Sequence, residues 1–245
     1  MAQRRRAGTR QHSASRPTGR AVTAHRVAVK ICGLVRPDDA AVAEAAGAAY
    51  LGTILAGGPR LVSLEQAAAV LGPRRAGIQR AAVFGQQTDA DIVRMAAALD
   101  LDIVQLHHAP SVEQIAWLQR ETACTVWPVA RVSGSSLPTD VDEWTAEAGA
   151  LVLDALVVGQ LGGTGVALDW SGLADAVGAW RERHPAATLV LAGGLNPRNV
   201  AAAVQLLSPT VVDVSSGVER APGEKDATLV HHFVQAAHGA AETAP

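Results

Sequence analysis

The chain has 245 residues, of which 49% are apolar and 18% charged, so it has the composition of a globular protein with a sizeable core. No apolar run approaches the roughly 18 residues of a membrane span, and two cysteines are too few for a disulfide framework, which favours a reducing, cytoplasmic setting. Outside the first 26 residues, acidic residues outnumber basic ones by 23 to 14, which argues against a nucleic-acid partner.

Residues 1–26 form a segment with seven arginines, no acidic residue and few large apolar side chains. Such a segment cannot bury enough apolar surface to fold, so we expect a disordered basic tail. Three interpretations stay open: an inert or wrongly assigned start, a tether for nucleic acid or a partner, and a targeting segment. We place the folded domain at residues 27–240.

After residue 26, short β-branched runs alternate with alanine-rich helical stretches. Strands are predicted at 27–32, 50–55, 79–84, 101–106, 125–131, 150–154, 188–192 and 210–215. Helices are predicted at 37–47, 63–72, 88–98, 111–121, 139–147, 171–183, 197–206 and 226–238. Eight such pairs predict an α/β fold, a single (β/α)8 TIM barrel, with an open doubly wound sheet as the alternative.

Several predicted helices begin with a recognisable start signal. Pro37 is followed by two acidic residues, as in a first helical turn. Thr88 and Ser111 are candidate N-caps, the latter with capping-box spacing. Asn196 followed by Pro197 is a further candidate N-cap for the seventh helix.

Residues capable of acid–base chemistry collect at the predicted carboxyl ends of the strands, where TIM barrels place their active sites. Lys30 and Cys32 close the first strand and, being two residues apart, share one face of it. Asp154 closes the sixth strand. A buried lysine must be paired, and Asp213 on the neighbouring eighth strand is the candidate partner.

Glycine-rich turns follow the sixth, seventh and eighth strands, within 160–165, 191–197 and 212–219. Glycine lets backbone N–H groups approach an anion closely, and TIM barrels commonly hold phosphate after strands 7 and 8. We therefore expect a small, phosphorylated substrate. The residues expected to bind it from these turns are Gly163, Gly193, Gly194, Ser215, Ser216 and Gly217.

The paired histidines are poorly placed to chelate a metal. His107 and His108 point to opposite faces of a strand, and His231 and His232 diverge by about 100° on a helix. No metal site is predicted. His107 is expected to line the pocket, and Cys124, at the opposite end of the barrel, is expected to be structural.

Five segments in order over residues 27–238 resemble phosphoribosylanthranilate isomerase, the isomerase of tryptophan biosynthesis. They read KICGLVRPDDA, VQLH, GGTGVALDW, LAGGLNPRNV and VDVSSGVERAPGEKD. The resemblance implies a (β/α)8 barrel that rearranges N-(5′-phosphoribosyl)anthranilate into 1-(2-carboxyphenylamino)-1-deoxyribulose 5-phosphate. This reaction class needs no cofactor, because the Schiff base formed from the substrate supplies the electron sink.

The resemblance also implies roles for individual residues. Cys32 matches the general base and Asp154 the general acid, while Arg60 matches the arginine that meets the anthranilate carboxylate. Gln105 and His107 fall in the VQLH segment and are expected to bind substrate. A thiol acts as a base only as thiolate, which requires a nearby positive charge to lower its pKa. Lys30 supplies such a charge, but Asp213 would neutralise much of it, so the net effect on Cys32 stays open.

Three positions depart from the family pattern. His108 stands where the family usually has glycine, Gly58 stands at a serine position with no aromatic residue before it, and VFGQQ replaces VFVN after the third strand. By analogy we expect all three near the anthranilate side of the pocket. They leave two alternatives open, an isomerase of another phosphoribosylamine and a non-catalytic phosphosugar-binding barrel. A monomer and a homodimer are both compatible with the sequence.

Overall fold

The structure is a computed structural model that describes residues 27–155 and 169–242. The predicted basic tail and the turn that contains Gly163 lie outside the described residues. Eight parallel strands form a closed barrel in sequence order, and the last strand pairs with the first. The prediction of a (β/α)8 barrel is therefore confirmed, and the open sheet is wrong.

Strands and helices alternate along the described chain. The barrel strands are β1 Ala28–Ile31, β2 Tyr50–Ile54, β3 Gln79–Phe84, β4 Ile103–Leu106, β5 Thr125–Val132, β6 Ala150–Ala155, β7 Thr188–Leu191 and β8 Val211–Val214. The helices are α1 Pro37–Ala46, α2 Leu64–Leu71, α3 Asp89–Leu99, α4 Val112–Thr122, α5 Val141–Ala148, α6 Trp170–Arg183, α7 Val200–Leu207 and α8 Ala227–Glu242.

The predicted helix starts are confirmed for α1, α3 and α4 and wrong for α7. Pro37 opens α1, and the hydroxyls of Thr88 and Ser111 accept the expected backbone hydrogen bonds. Helix α7 begins at Val200, three residues later than predicted. Asn196 still accepts a hydrogen bond from the Arg198 N–H at 2.9 Å, so it closes a turn that precedes the regular helix.

The interior of the barrel is apolar at the amino-terminal end of the strands and polar at the carboxyl end. Small aliphatic side chains and Trp127 fill the amino-terminal part of the interior, where the ring centroids of Trp127 and Tyr50 are 5.2 Å apart. A larger apolar cluster fills the space between strands and helices. Since side chains alternate along each strand, the side chains of Lys30 and Cys32 both point into the barrel, with Cys32 nearer the carboxyl end.

A small hairpin follows β8 and was not predicted. After a short 3-10 helix at Ser216–Val218, strand β9 (Glu219–Ala221) pairs with β10 (Glu224–Lys225) in antiparallel register. This hairpin lies at the carboxyl end of the barrel. Within the part of the chain described, no helix is both long and apolar enough to cross a lipid bilayer.

Candidate active site

A cavity of about 600 Å³ opens at the carboxyl ends of the barrel strands. All the predicted site residues that the structure describes line its wall. They are Cys32, Arg60, Gln105, His107, Asp154, Gly193, Gly194, Ser215, Ser216 and Gly217. Gly163, the remaining predicted residue, lies outside the described residues.

Cys32 and Asp154 face this cavity from different sides of the barrel. Cys32 directly follows β1, and Asp154 lies on β6, which is separated from β1 by the two strands β8 and β7. Both residues are buried, at 5% and 6% exposure. A thiol and a carboxyl group therefore border one enclosed space, as acid–base catalysis on a single small molecule requires.

Lys30 lies one inward position below Cys32 and is fully buried. Its Nζ donates to Asp213 Oδ2 at 2.7 Å and to Gln105 Oε1 at 2.9 Å. Lys30 and Asp213 are direct partners in the register between β1 and β8. The predicted buried ion pair is confirmed, and a second acceptor, Gln105, joins it.

The net effect on the thiol pKa, which the sequence left open, is a rise. Burial raises the pKa of Cys32, and the positive charge of Lys30 opposes this rise without cancelling it. Asp213 also raises the thiol pKa, because its carboxylate offsets much of the lysine charge. For Lys30 itself, burial alone would lower the pKa, but Asp213 raises it above its usual range, so the ammonium stays charged.

His107 contacts the carboxyl group of Asp154. The distance from Nε2 to Oδ2 is 3.3 Å, and both side chains are buried in the cavity wall. Its Nδ1 is buried with no hydrogen-bond partner among the described residues. His108 points away from the cavity, and its Nε2 lies 3.1 Å from Gln114 Oε1 on α4, so the predicted divergence of the two rings is confirmed.

At two glycines in the turns after β7 and β8, the packing leaves no room for a side chain. Gly193 has φ +84°, and a Cβ there would lie 2.9 Å from Asp154 Oδ1. A Cβ on Gly217 would lie 1.9 Å from the carbonyl oxygen of Leu195, so the two turns touch through their backbones. The hydroxyl of Ser215 is buried without a hydrogen-bond partner among the described residues, as expected of a group kept for a ligand.

Arg60 lines the cavity but is not free. Its Nε and Nη2 donate to the two carboxylate oxygens of Glu219 at 2.8 and 2.7 Å. Glu219 also accepts from Lys225 Nζ at 2.7 Å, and Lys225 donates to the Ser215 carbonyl at 3.1 Å. Glu219 and Lys225 were missed as functional candidates, although both fall within the VDVSSGVERAPGEKD segment.

The three departures from the family pattern do not all reach the cavity. Gly58, in the turn after β2, lines it together with Gly57. His108 faces α4, and Gln87 after β3 holds the neighbouring Gly85 N–H. Of the three departures, only the turn after β2 lines the cavity directly. That all three lie near the anthranilate side stays a prediction.

Two further sequence-based expectations concern residues away from the cavity. The Sγ of Cys124 donates to the Leu101 carbonyl at 3.1 Å, just before β5 at the amino-terminal end of the barrel, which fits a structural role. In the described ranges, His, Cys, Asp and Glu side chains do not gather in any group of three or more that could hold a metal ion.

The chain is similar in sequence and in structure to a known family of enzymes. Residues 29–236 match the model of the family described as N-(5′-phosphoribosyl)anthranilate (PRA) isomerase. A curated relative, the N-(5′-phosphoribosyl)anthranilate isomerase of Ruegeria sp. (strain TM1040), is 36% identical over 215 residues, covering 86% of this chain and 97% of its own.

Solved structures of the same group are also similar. One is a phosphoribosyl anthranilate isomerase in complex with reduced 1-(o-carboxyphenylamino)-1-deoxyribulose 5-phosphate, with a TM-score of 0.68 and 30% identity over 87% of this chain and 99% of the other. Another shows monomers generated from the dimeric isomerase of Thermotoga maritima, with a TM-score of 0.68 and 32% identity over the same shares.

Proposed function

Since the chain belongs to the N-(5′-phosphoribosyl)anthranilate isomerase family, we propose that the cavity above its barrel binds N-(5′-phosphoribosyl)anthranilate and that Cys32 and Asp154 act on it there. The enzyme is an intramolecular aldose–ketose isomerase of tryptophan biosynthesis. It carries out an Amadori rearrangement. The observation that carries the residue assignment is that one thiol and one carboxyl group line the same cavity from different strands.

Asp154 is the proposed general acid. In its protonated form it donates a proton to the furanose ring oxygen, the C1′–O bond breaks, and the nitrogen lone pair forms a Schiff base at C1′. His107 Nε2 lies 3.3 Å from Asp154 Oδ2, so the ring restricts the orientation of the carboxyl group. Because Gly193 has no side chain, there is room beside it for Asp154 Oδ1.

Cys32 is the proposed general base. As a thiolate it removes the proton from C2′, and the electron pair moves toward the Schiff-base nitrogen to give an enolamine. The enolamine then becomes the ketone by proton transfer from the 2′ oxygen and protonation of C1′. Because burial raises the pKa of Cys32, an effective base needs the ammonium of Lys30 nearby to favour the thiolate.

The two ends of the substrate are proposed to bind on the two sides of the cavity. The turns at Gly193–Gly194 and Ser215–Gly217 supply backbone donors and a free hydroxyl for the phosphate. Arg60 uses one edge of its guanidinium for Glu219, and the other edge, which includes Nη1, is proposed for the anthranilate carboxylate. We propose no nucleic-acid partner. We propose that the protein is cytoplasmic and is a monomer or a homodimer.

The assay follows the loss of N-(5′-phosphoribosyl)anthranilate fluorescence with the full chain. Wild-type protein should consume the substrate, and Cys32→Ser and Asp154→Asn should each lower kcat by about 10²-fold or more, the usual size of a general acid–base contribution. Matched controls are Cys124→Ser and Asp142→Asn, whose side chains lie outside the cavity. An inactive wild type, or two cavity variants that match their controls, would refute the assignment.

A further inference from the structure

We propose that Glu219 and Lys225 are positioning residues that fix the binding groups on the two substrate-binding sides of the cavity. Neither side chain lines the cavity, so neither touches the substrate directly. Lys225 fixes the peptide group between Ser215 and Ser216, and Glu219 fixes Arg60. The inference rests on the proposed function, because it assigns a task to residues behind the same site.

Lys225 acts on the phosphate side through a single carbonyl group. Its fully buried Nζ donates to the Ser215 carbonyl oxygen at 3.1 Å. In a trans peptide the carbonyl and the following N–H point in opposite directions. Holding the Ser215 carbonyl toward Lys225 therefore turns the N–H of Ser216, a residue that lines the cavity, away from Lys225. A backbone donor in a fixed direction is what an anion site needs.

Glu219 acts on the carboxylate side through a bidentate pair. Both of its oxygens accept from Arg60, which holds the guanidinium plane in one orientation and leaves its other edge available. Although burial alone would raise the pKa of Glu219, the hydrogen bonds of Arg60 and the charge of Lys225 hold it below its usual range. The carboxylate therefore stays charged and keeps both cations in place.

The net charge of this cluster also suits the substrate. Arg60 and Lys225 are each positive and Glu219 is negative, so the cluster carries one net positive charge behind the cavity wall. The proposed substrate is anionic at both ends. One positive charge attracts it without leaving two buried cations unpaired.

The main variant is Lys225→Met, which removes the ammonium but leaves Glu219 paired with Arg60. We expect KM to rise about tenfold, the effect of losing one hydrogen bond from a charged group, with kcat within about threefold of wild type. The matched control is Arg220→Met. Arg220 lies in the same hairpin, does not line the cavity and pairs with the half-buried Glu224, so the KM of this variant should stay within about twofold of wild type.

Two competitive probes separate the sides of the cavity. Inhibition by ribose 5-phosphate reports the phosphate side, and inhibition by anthranilate reports the carboxylate side. Lys225→Met should weaken ribose 5-phosphate about tenfold, and Glu219→Gln, which no longer anchors Arg60 as an ion pair, should weaken anthranilate by a similar factor. Glu219→Gln carries the test if thermal unfolding shows that Lys225→Met is not folded.

The outcomes distinguish this inference from the proposed function. A folded Lys225→Met enzyme with unchanged KM and unchanged ribose 5-phosphate inhibition would overturn the role of Lys225. Unchanged anthranilate inhibition in Glu219→Gln would overturn the role of Glu219. If wild type fails to turn over the substrate but its ribose 5-phosphate binding still depends on Lys225, the proposed function fails and the positioning role stands.

Discussion

Replacing Lys30 by methionine tests whether the floor of the cavity is a buried ion pair. Methionine keeps most of the volume of the lysine stem but cannot donate a hydrogen bond. The change strands the Asp213 carboxylate, which is 6% exposed, and the Oε1 of Gln105. Breaking a buried pair by removing one partner typically costs about 3–5 kcal/mol. For a barrel of this size, that corresponds to a fall in Tm of about 6–20 °C.

The measurement is denaturant and thermal unfolding of wild type, Lys30→Met and the double variant Lys30→Met/Asp213→Leu. Because the double variant removes both charges, most of the lost stability should return. A remainder of about 1–3 kcal/mol is expected, since Gln105 Oε1 still lacks its donor. If Lys30→Met costs less than about 1 kcal/mol, or if the double variant is no more stable than the single one, the description of a desolvated ion pair is wrong.

Three further predictions concern other parts of the site. Gly193→Ala should lower kcat about tenfold or more, because its Cβ would lie 2.6 Å from the Ala155 backbone N and 2.9 Å from Asp154 Oδ1, and so would displace the end of β6 that carries the carboxyl group. The control Gly149→Ala has a similar positive φ and open space around it, so it should lose only about 1 kcal/mol of stability and keep its kcat. Because burial raises the pKa of Cys32, its alkylation by iodoacetamide should be slower at pH 7 than that of a free thiol and should increase only in the alkaline range. Labelling at pH 7 as fast as a free thiol, in a variant lacking the other cysteine, would contradict this. Because the pKa of Glu219 is lowered in the folded state, its carboxylate should stabilise the fold above about pH 4.3, and this contribution should be lost as the pH falls through the folded-state pKa. In Glu219→Gln, the free energy of unfolding should therefore fall less steeply with decreasing pH.

The parts of the site that were predictable follow from strand geometry. Lys30 and Cys32 share a face because they are two residues apart, and a closed barrel makes β8 the neighbour of β1, so Asp213 could be named as the partner. The (β/α)8 order itself followed from eight alternations of short β-branched and alanine-rich segments. These inferences need only the alternation of side chains along a strand and the order of strands around a closed barrel.

The parts that were missed depend on contacts that no period encodes. Arg60 and Glu219 are 159 positions apart and meet only because an irregular hairpin follows β8. The direction of the Cys32 pKa shift was also out of reach, since it is the balance of burial against Lys30 and Asp213. A balance of opposing influences needs distances and burial, which the sequence pattern does not contain.

Gly52 shows that the catalytic face of β1 depends on an absent side chain on β2. A Cβ at this inward position would lie 3.1 Å from the Sγ of Cys32 and 3.1 Å from the Cε of Lys30. Contacts that close would push the thiol and the ammonium from the places where one borders the cavity and the other reaches Asp213 and Gln105. The thiol, the ammonium and the empty space on the neighbouring strand therefore form one unit, and transferring residues 29–33 to another barrel would carry the chemistry only if a glycine faced them.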